Sequence, residues 1–266
     1  MFKRSALGLS VIVIGLGFVF MLLDILDIAE GFRLHWPIAI LNTVFIGAVA
    51  IFILGFGARN YLANGSLEML SLGCCACAFG VGILLYGWLN TELNPRIVAY
   101  DSGFIFASII IIAGACLMMA GRTKIESSSK RKPTALVIAY LGVIAVIVLA
   151  TWLAFQGYII YIDAMLWGIS IRDIIQGIAE ILYAVSAIIY IRIYLSKSRL
   201  DVHYWYFLGL ILIACGIFFI SRGPLEGRIA WLGRLSQYTG CIFFLVSTFY
   251  ARKLGKSKLT THRENT

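Results

Sequence analysis

The sequence predicts an all-α fold: a polytopic membrane helical bundle of eight transmembrane helices, built as two parallel four-helix repeats. Three observations predict it. Hydrophobic residues make up 61% of the chain, where a soluble domain is nearer half apolar. The apolar runs recur, each close to the roughly 20 residues that cross a bilayer. Basic residues collect at run ends and in alternate loops, so the net charge of +9 reads as membrane topology rather than nucleic-acid binding.

The predicted spans, in order, are Leu7–Ile28, Pro37–Phe56, Met69–Leu89, Tyr100–Ala120, Ala135–Phe155, Ile171–Tyr194, His203–Ile220 and Ile229–Tyr250. The first is too long for the apolar core of a signal peptide and is followed by no small-residue cleavage site, so it is expected to stay attached. Pro37 falls in the first turn of the second span, where its missing N–H does no harm. Asn64-Gly65-Ser66 and Arg222-Gly223-Pro224 are turn clusters.

With eight spans, one side collects Lys3, Arg4, Arg59, the run Arg122 to Lys132, Arg192, Lys197, Arg199 and the basic residues after Tyr250. The other side has fewer, so both termini are expected in the cytoplasm of a cell membrane. Five of the tryptophans, Trp36, Trp88, Trp152, Trp167 and Trp231, fall near the outer interface as a belt, and Trp205 marks the inner one.

The halves resemble each other. Arg59-Asn60-Tyr61-Leu62 recurs as Arg192-Ile193-Tyr194-Leu195, and each is followed by Leu-acid, Leu67-Glu68 and Leu200-Asp201. Ser102-Gly103-Phe104-Ile105-Phe106 echoes Thr239-Gly240-Cys241-Ile242-Phe243. The expected organisation is a first repeat over 1–120, a basic cytoplasmic linker over 121–134, a second repeat over 135–250 and a cytoplasmic tail over 251–266. Sites in such duplicated membrane proteins tend to lie at the repeat interface.

The candidate site grows from Ser170 to Tyr194. Asp173, Gln176 and Glu180 are spaced to share one helix face, and Glu180 lies roughly 12–13 Å along the axis from Ile171. A charge facing lipid there costs at least about 2.5 kcal/mol, so this face is expected to look into a pocket. Other polar groups gather at the same depth: Asp24 with Asp27, Asn42, Asp101 with Ser102, and Arg234 with Gln237. An outward-facing pocket follows, roofed by Trp167, Trp231 and Asp163, with Arg234 expected to pair with Glu180 or Asp173, or to clamp a ligand's carboxylate or phosphate.

Other chemistries find little footing. Cys74 and Cys77 stand at i, i+3, but small thiols in a Gly-rich span read as packing. His35, His203 and His262 lie at ends or in loops, with no pair placed for a haem. No span contains a lysine for a retinal-type Schiff base, and no HExxH, GxSxG or P-loop pattern occurs.

The runs from Trp36 to Leu89, then YDSGFIFAS, then IRDIIQGIAEILYAVSAIIYIRIY and WLGRLSQYTG, resemble the N-terminal multi-span sensor region of prokaryotic histidine kinases and PAS-containing signalling proteins. The resemblance covers about Trp36 to Tyr250. It implies a sensory module that receives a small ligand or lipid, with a separate cytoplasmic kinase or regulator as output. The polar stretch Ala251–Thr266 has no ATP-binding glycines, phospho-acceptor helix or heptads, so no kinase activity is expected within it. The expected protein is not an enzyme and needs no cofactor or metal. Its partners are the lipid bilayer, a small ligand and a second copy of itself, not nucleic acid. A small transporter or lipid-handling carrier is the alternative.

Overall fold

A computed structural model describes residues 35–122, 131–161, 164–166, 169–196, 201–222 and 228–264. Among these residues seven helices are long and apolar enough to cross a membrane, as a multi-pass membrane protein requires. The expected first span, Leu7–Ile28, lies outside the described residues.

Helix α1 runs through His35–Asn42, a π-helical turn at Thr43–Ala48 and Val49–Asn64. It ends on Gly65, whose left-handed φ of 66° lets its N–H bond back to the Tyr61 carbonyl at 2.7 Å. Ser66 then caps α2, Leu67–Trp88, by accepting the Met69 N–H, with Glu68 in the positively polarised first turn. The expected turn at Asn64-Gly65-Ser66 is therefore both a helix stop and a helix start.

Helix α3 spans Leu93–Met119 and begins a full seven residues before the expected Tyr100. Pro95 is tolerated within the first turn. Arg96 turns back to donate its Nε–H to the Tyr86 carbonyl at 3.0 Å, answering one of the open carbonyls at the end of α2. The consequence matters for the site: Asp101 lies more than two turns inside the helix instead of opening it.

Helix α4, Lys132–Phe155, sits at the periphery. Leu136, Ile147, Thr151 and Ala154 form its buried stripe, while Ile138, Leu141, Leu149 and Trp152 face outward, as lipid contact demands. After it comes a two-stranded antiparallel ribbon, β1 (Met165–Leu166) with β2 (Ile169–Ser170). Helices α5 (Ile171–Ser196), α6 (Asp201–Ser221) and α7 (Arg228–Glu264) complete the order.

The tightest crossings are α2 on α3 and α6 on α7. Both are made by glycines that let backbones approach, since packing rather than the hydrophobic effect holds helices together in lipid. A Cβ added to Gly82 would stand 2.8 Å from the Gly103 Cα, and one added to Gly233 would stand 2.6 Å from the Gly216 carbonyl oxygen. Helix α2 is buried almost throughout and forms the axle of the first half. Elsewhere α3 packs on α5 and on α4, α2 packs on α4, and α1 packs on α7.

Candidate functional site

The centre of the site is Asp101. It has no exposed surface, and a carboxylate so placed is costly unless hydrogen bonds and a counter-charge meet it. Gln176 of α5 donates its amide N–H to Oδ1 at 2.7 Å. Arg172, one turn earlier on α5, holds its Nε 3.9 Å from Oδ2. One carboxylate on α3 thus gathers two side chains from the start of α5.

The loop after α4 closes over the same spot. Asn94 bonds it twice, donating to the Ile159 carbonyl at 2.8 Å and accepting the Tyr161 N–H at 2.9 Å. Tyr161 is thereby pinned beside Asp101 and Ser102. Burial and then the Asp101 charge push its phenol above the ordinary tyrosine value, and a hydrogen bond with Ser102 partly opposes them.

A second group of contacts joins α7 to the first half. Gln237 donates its amide N–H to the Tyr100 hydroxyl at 3.0 Å, and Tyr238 donates its hydroxyl to the Asn42 amide oxygen at 2.8 Å. Phe45 stacks on Tyr238 with centroids 5.4 Å apart, and Tyr86 packs against Tyr100 at 5.3 Å. Arg234 is 4% exposed, its guanidinium 5.2 Å from the Trp231 ring centroid. Between Asn42, Tyr86, Tyr100, Arg172, Arg234 and Gln237 a void of about 10 Å³ remains, with Ile97 and Ile220 as apolar walls. That is room for about one water.

The expected residues divide. Asp101, Gln176, Asn42, Arg234 and Gln237 come together around the void or one side chain away from it. Asp173 and Glu180 do not. The buried face of α5 follows Gln176, Ala179, Tyr183, Ala187 and Tyr190; Asp173 and Glu180 stand on its flank, one exposed and the other half-buried. Arg222, rather than Arg234, is the cation whose field reaches Glu180. A spacing of i, i+3, i+7 fixes a common side of a helix only to within a wide arc, and here the arc straddles the edge of the core. Asp24, Asp27, Asp163 and Trp167 lie outside the described residues, so of the expected roof only Trp231 is placed, beneath Arg234.

Tyr86, Tyr100, Tyr161, Arg172 and Tyr238 take part in the site, though the sequence alone did not single them out as ligands. A signal for two of them was present. Tyr100-Asp101 and Gln237-Tyr238 each set an aromatic hydroxyl beside a polar group within an apolar run.

Compared with protein-family models, curated proteins and solved structures, the chain matches none. Its chemistry must be read from the site itself. Amides, phenols, guanidinium groups and a shielded carboxylate converge from α1, α2, α3, α5 and α7 on a space too small for a substrate. Such a centre can hold a polar group by exchanging hydrogen-bond partners once the helices part.

Proposed function

We propose that this protein is a membrane-embedded sensory module of two parallel four-span copies, in which a small polar ligand entering at the Asp101 end shifts α7. The observation that carries the reading is a property of α7 alone. Arg234, Gln237 and Tyr238 of this helix engage the central site. The same helix leaves its membrane span at Ala251 and continues through residues 252–264, about 20 Å further. A displacement at one end is carried rigidly to the other.

The duplication is supported by matching contacts. Tyr100 and Gln237, which bond to each other, are 137 residues apart and occupy equal places in the two copies. Their neighbours Asp101 and Tyr238 match in the same way. On α1 and α5 the buried positions Ile46, Ala50, Ile53 and Gly57 match Ala179, Tyr183, Ser186 and Tyr190 at one spacing. Asn42 then matches Gln176 once one extra residue is taken up, and the π-helical turn Thr43–Ala48 is where α1 holds an extra residue. The bonds Gln176–Asp101 and Asn42–Tyr238 are thus counterparts. The Tyr100–Gln237 bond lies on the axis that relates them, at a repeat interface where membrane proteins place their sites. The completed count is eight spans with both termini cytoplasmic.

A ligand moves such an equilibrium only if it binds the two arrangements unequally. The test uses spin labels at Ala120 and Ala251, with the exposed Cys116 and Cys215 replaced by serine. Opening the centre with Gln237→Ala is expected to move the distance distribution between labels by several ångströms. The same distribution for wild type and variant would sink the sensory reading. Uptake of a small carboxylate or amide into proteoliposomes, with α7 unmoved, would favour a carrier in its place.

A further inference from the structure

A second buried polar cluster lies at the opposite end of the bundle and plays no part in the site above. Glu68, in the first turn of α2, holds Oε1 3.5 Å from Nε2 of His203, in the first turn of α6. Their side chains are 17% and 8% exposed respectively. Above them, Tyr190 of α5 stacks on Tyr206 of α6 with centroids 4.4 Å apart and planes 14° from parallel, and also on the His203 ring at 6.2 Å. Both tyrosines are fully buried.

We propose that Glu68 and His203 form a proton-binding site, in which the pair takes up protons from the water at this end of the bundle, first on the imidazole and then on the carboxylate, and gives them back. Three arguments carry it. First, the pair is a poor structural clamp. At 3.5 Å it is longer than a charge-assisted hydrogen bond. A buried ion pair without excellent geometry is often no better for stability than apolar residues of similar volume. Second, the chemistry suits exchange. Histidine is the side chain whose charge changes near neutral pH, and a carboxylate beside it lets the pair hold one proton or two. Third, access is graded. Glu68 keeps a strip of exposure through which a proton can come, while the Tyr190–Tyr206 stack and Phe244, 5.4 Å from Tyr206, close the site toward the core.

Among the described residues, the titratable groups facing the pair include Tyr190 from α5, Tyr206 from α6 and, one layer deeper, Cys75 on the helix of Glu68 itself. Met118 from α3 accepts the Tyr190 hydroxyl at 3.8 Å, and Phe244 is what α7 contributes. No bond other than that to the proton forms or breaks: an added proton converts the carboxylate–imidazole pair to its carboxylate–imidazolium form, and a second gives the carboxylic acid.

Infrared difference spectroscopy of the whole protein in lipid, titrated from about pH 9 to about pH 4, tests the proposal, a range chosen to bracket the ordinary histidine and carboxyl values. The expected result is a protonated-carboxyl band with one component that grows in wild type, is missing in Glu68→Gln, and in His203→Gln grows at a higher pH because the neighbouring cation has gone. A band unchanged by Glu68→Gln, or one whose midpoint His203→Gln leaves in place, would overturn it. Should Glu68→Gln fail to fold, Glu68→Asp replaces it, with a shifted band midpoint expected and an unshifted one counting against the site.

Discussion

The Asp101 layer and the Glu68 layer are both buried polar clusters within a membrane bundle, yet they are held in different ways. Around Asp101 hydrogen bonds join side chains of different helices, Gln176 to Asp101, Gln237 to Tyr100 and Tyr238 to Asn42, beside the ring contacts of Phe45 and Tyr86. Around Glu68 they are ring stacks, Tyr190 on Tyr206 and on His203, with Tyr206 against Phe244. Hydrogen bonds can trade partners with a ligand or with water at little net cost. Stacked rings lose contact area when they part and have nothing to exchange it for. The first layer can exchange its partners, while the second keeps its rings stacked beside the Glu68–His203 pair.

Breaking each layer at its centre tests this contrast most severely. Asp101→Ala leaves the Gln176 amide and the Arg172 guanidinium facing no carboxylate, and about 3–5 kcal/mol of stability should go. Tyr206→Ala, which removes the stack, should cost about as much, 3–5 kcal/mol by analogy with aromatic core truncations. Chemical unfolding in mild detergent measures both. Equal tolerance of the two substitutions, each below about 1 kcal/mol where such core changes cost several, would remove the idea that either layer organises the bundle.

Deleting single hydroxyls separates the two modes. Tyr238→Phe should lose about 1 kcal/mol with the Asn42 bond, and a double-mutant cycle with Asn42→Ala should recover most of that as coupling. Tyr206→Phe keeps its ring in the stack and should change stability less than Tyr238→Phe does. The reverse order would show that hydroxyls, not rings, hold the Glu68 layer.

The smallest effect concerns the loop over Asp101. The Tyr161 phenol is raised by burial and by the Asp101 charge, so in the folded protein it keeps its proton at a pH where the unfolded chain has lost it. Its contribution is complete below the ordinary tyrosine value and falls as pH rises through the folded value. Tyr161→Phe should therefore flatten the alkaline limb of the melting temperature plotted against pH. A limb of the same steepness in both proteins would mean that the loop does not close over the carboxylate.

Much of the architecture was legible in the residues. Run length and apolar content marked the spans, because a bilayer sets both. The break at Asn64-Gly65-Ser66 was readable because only glycine easily takes the φ of 66° found at Gly65. The start of α3 was not, since Asn94, Pro95 and Arg96 look like a loop until Arg96 is seen to bond the Tyr86 carbonyl of the neighbouring helix. Asn42, Gln176, Arg234 and Gln237 were recognisable as polar groups stranded in apolar spans. Glu180 was recognisable for the same reason and yet stands outside the site.

What the sequence determined by itself is which residues enter a membrane and which of them are too polar to face lipid there, for those follow from transfer energies that each side chain carries with it. Which polar groups meet was decided by the tertiary structure. The glycine crossing of α2 with α3 fixes where Asp101 stands, and the packing of α5 on α3 sets Gln176 against it and leaves Asp173 at the rim.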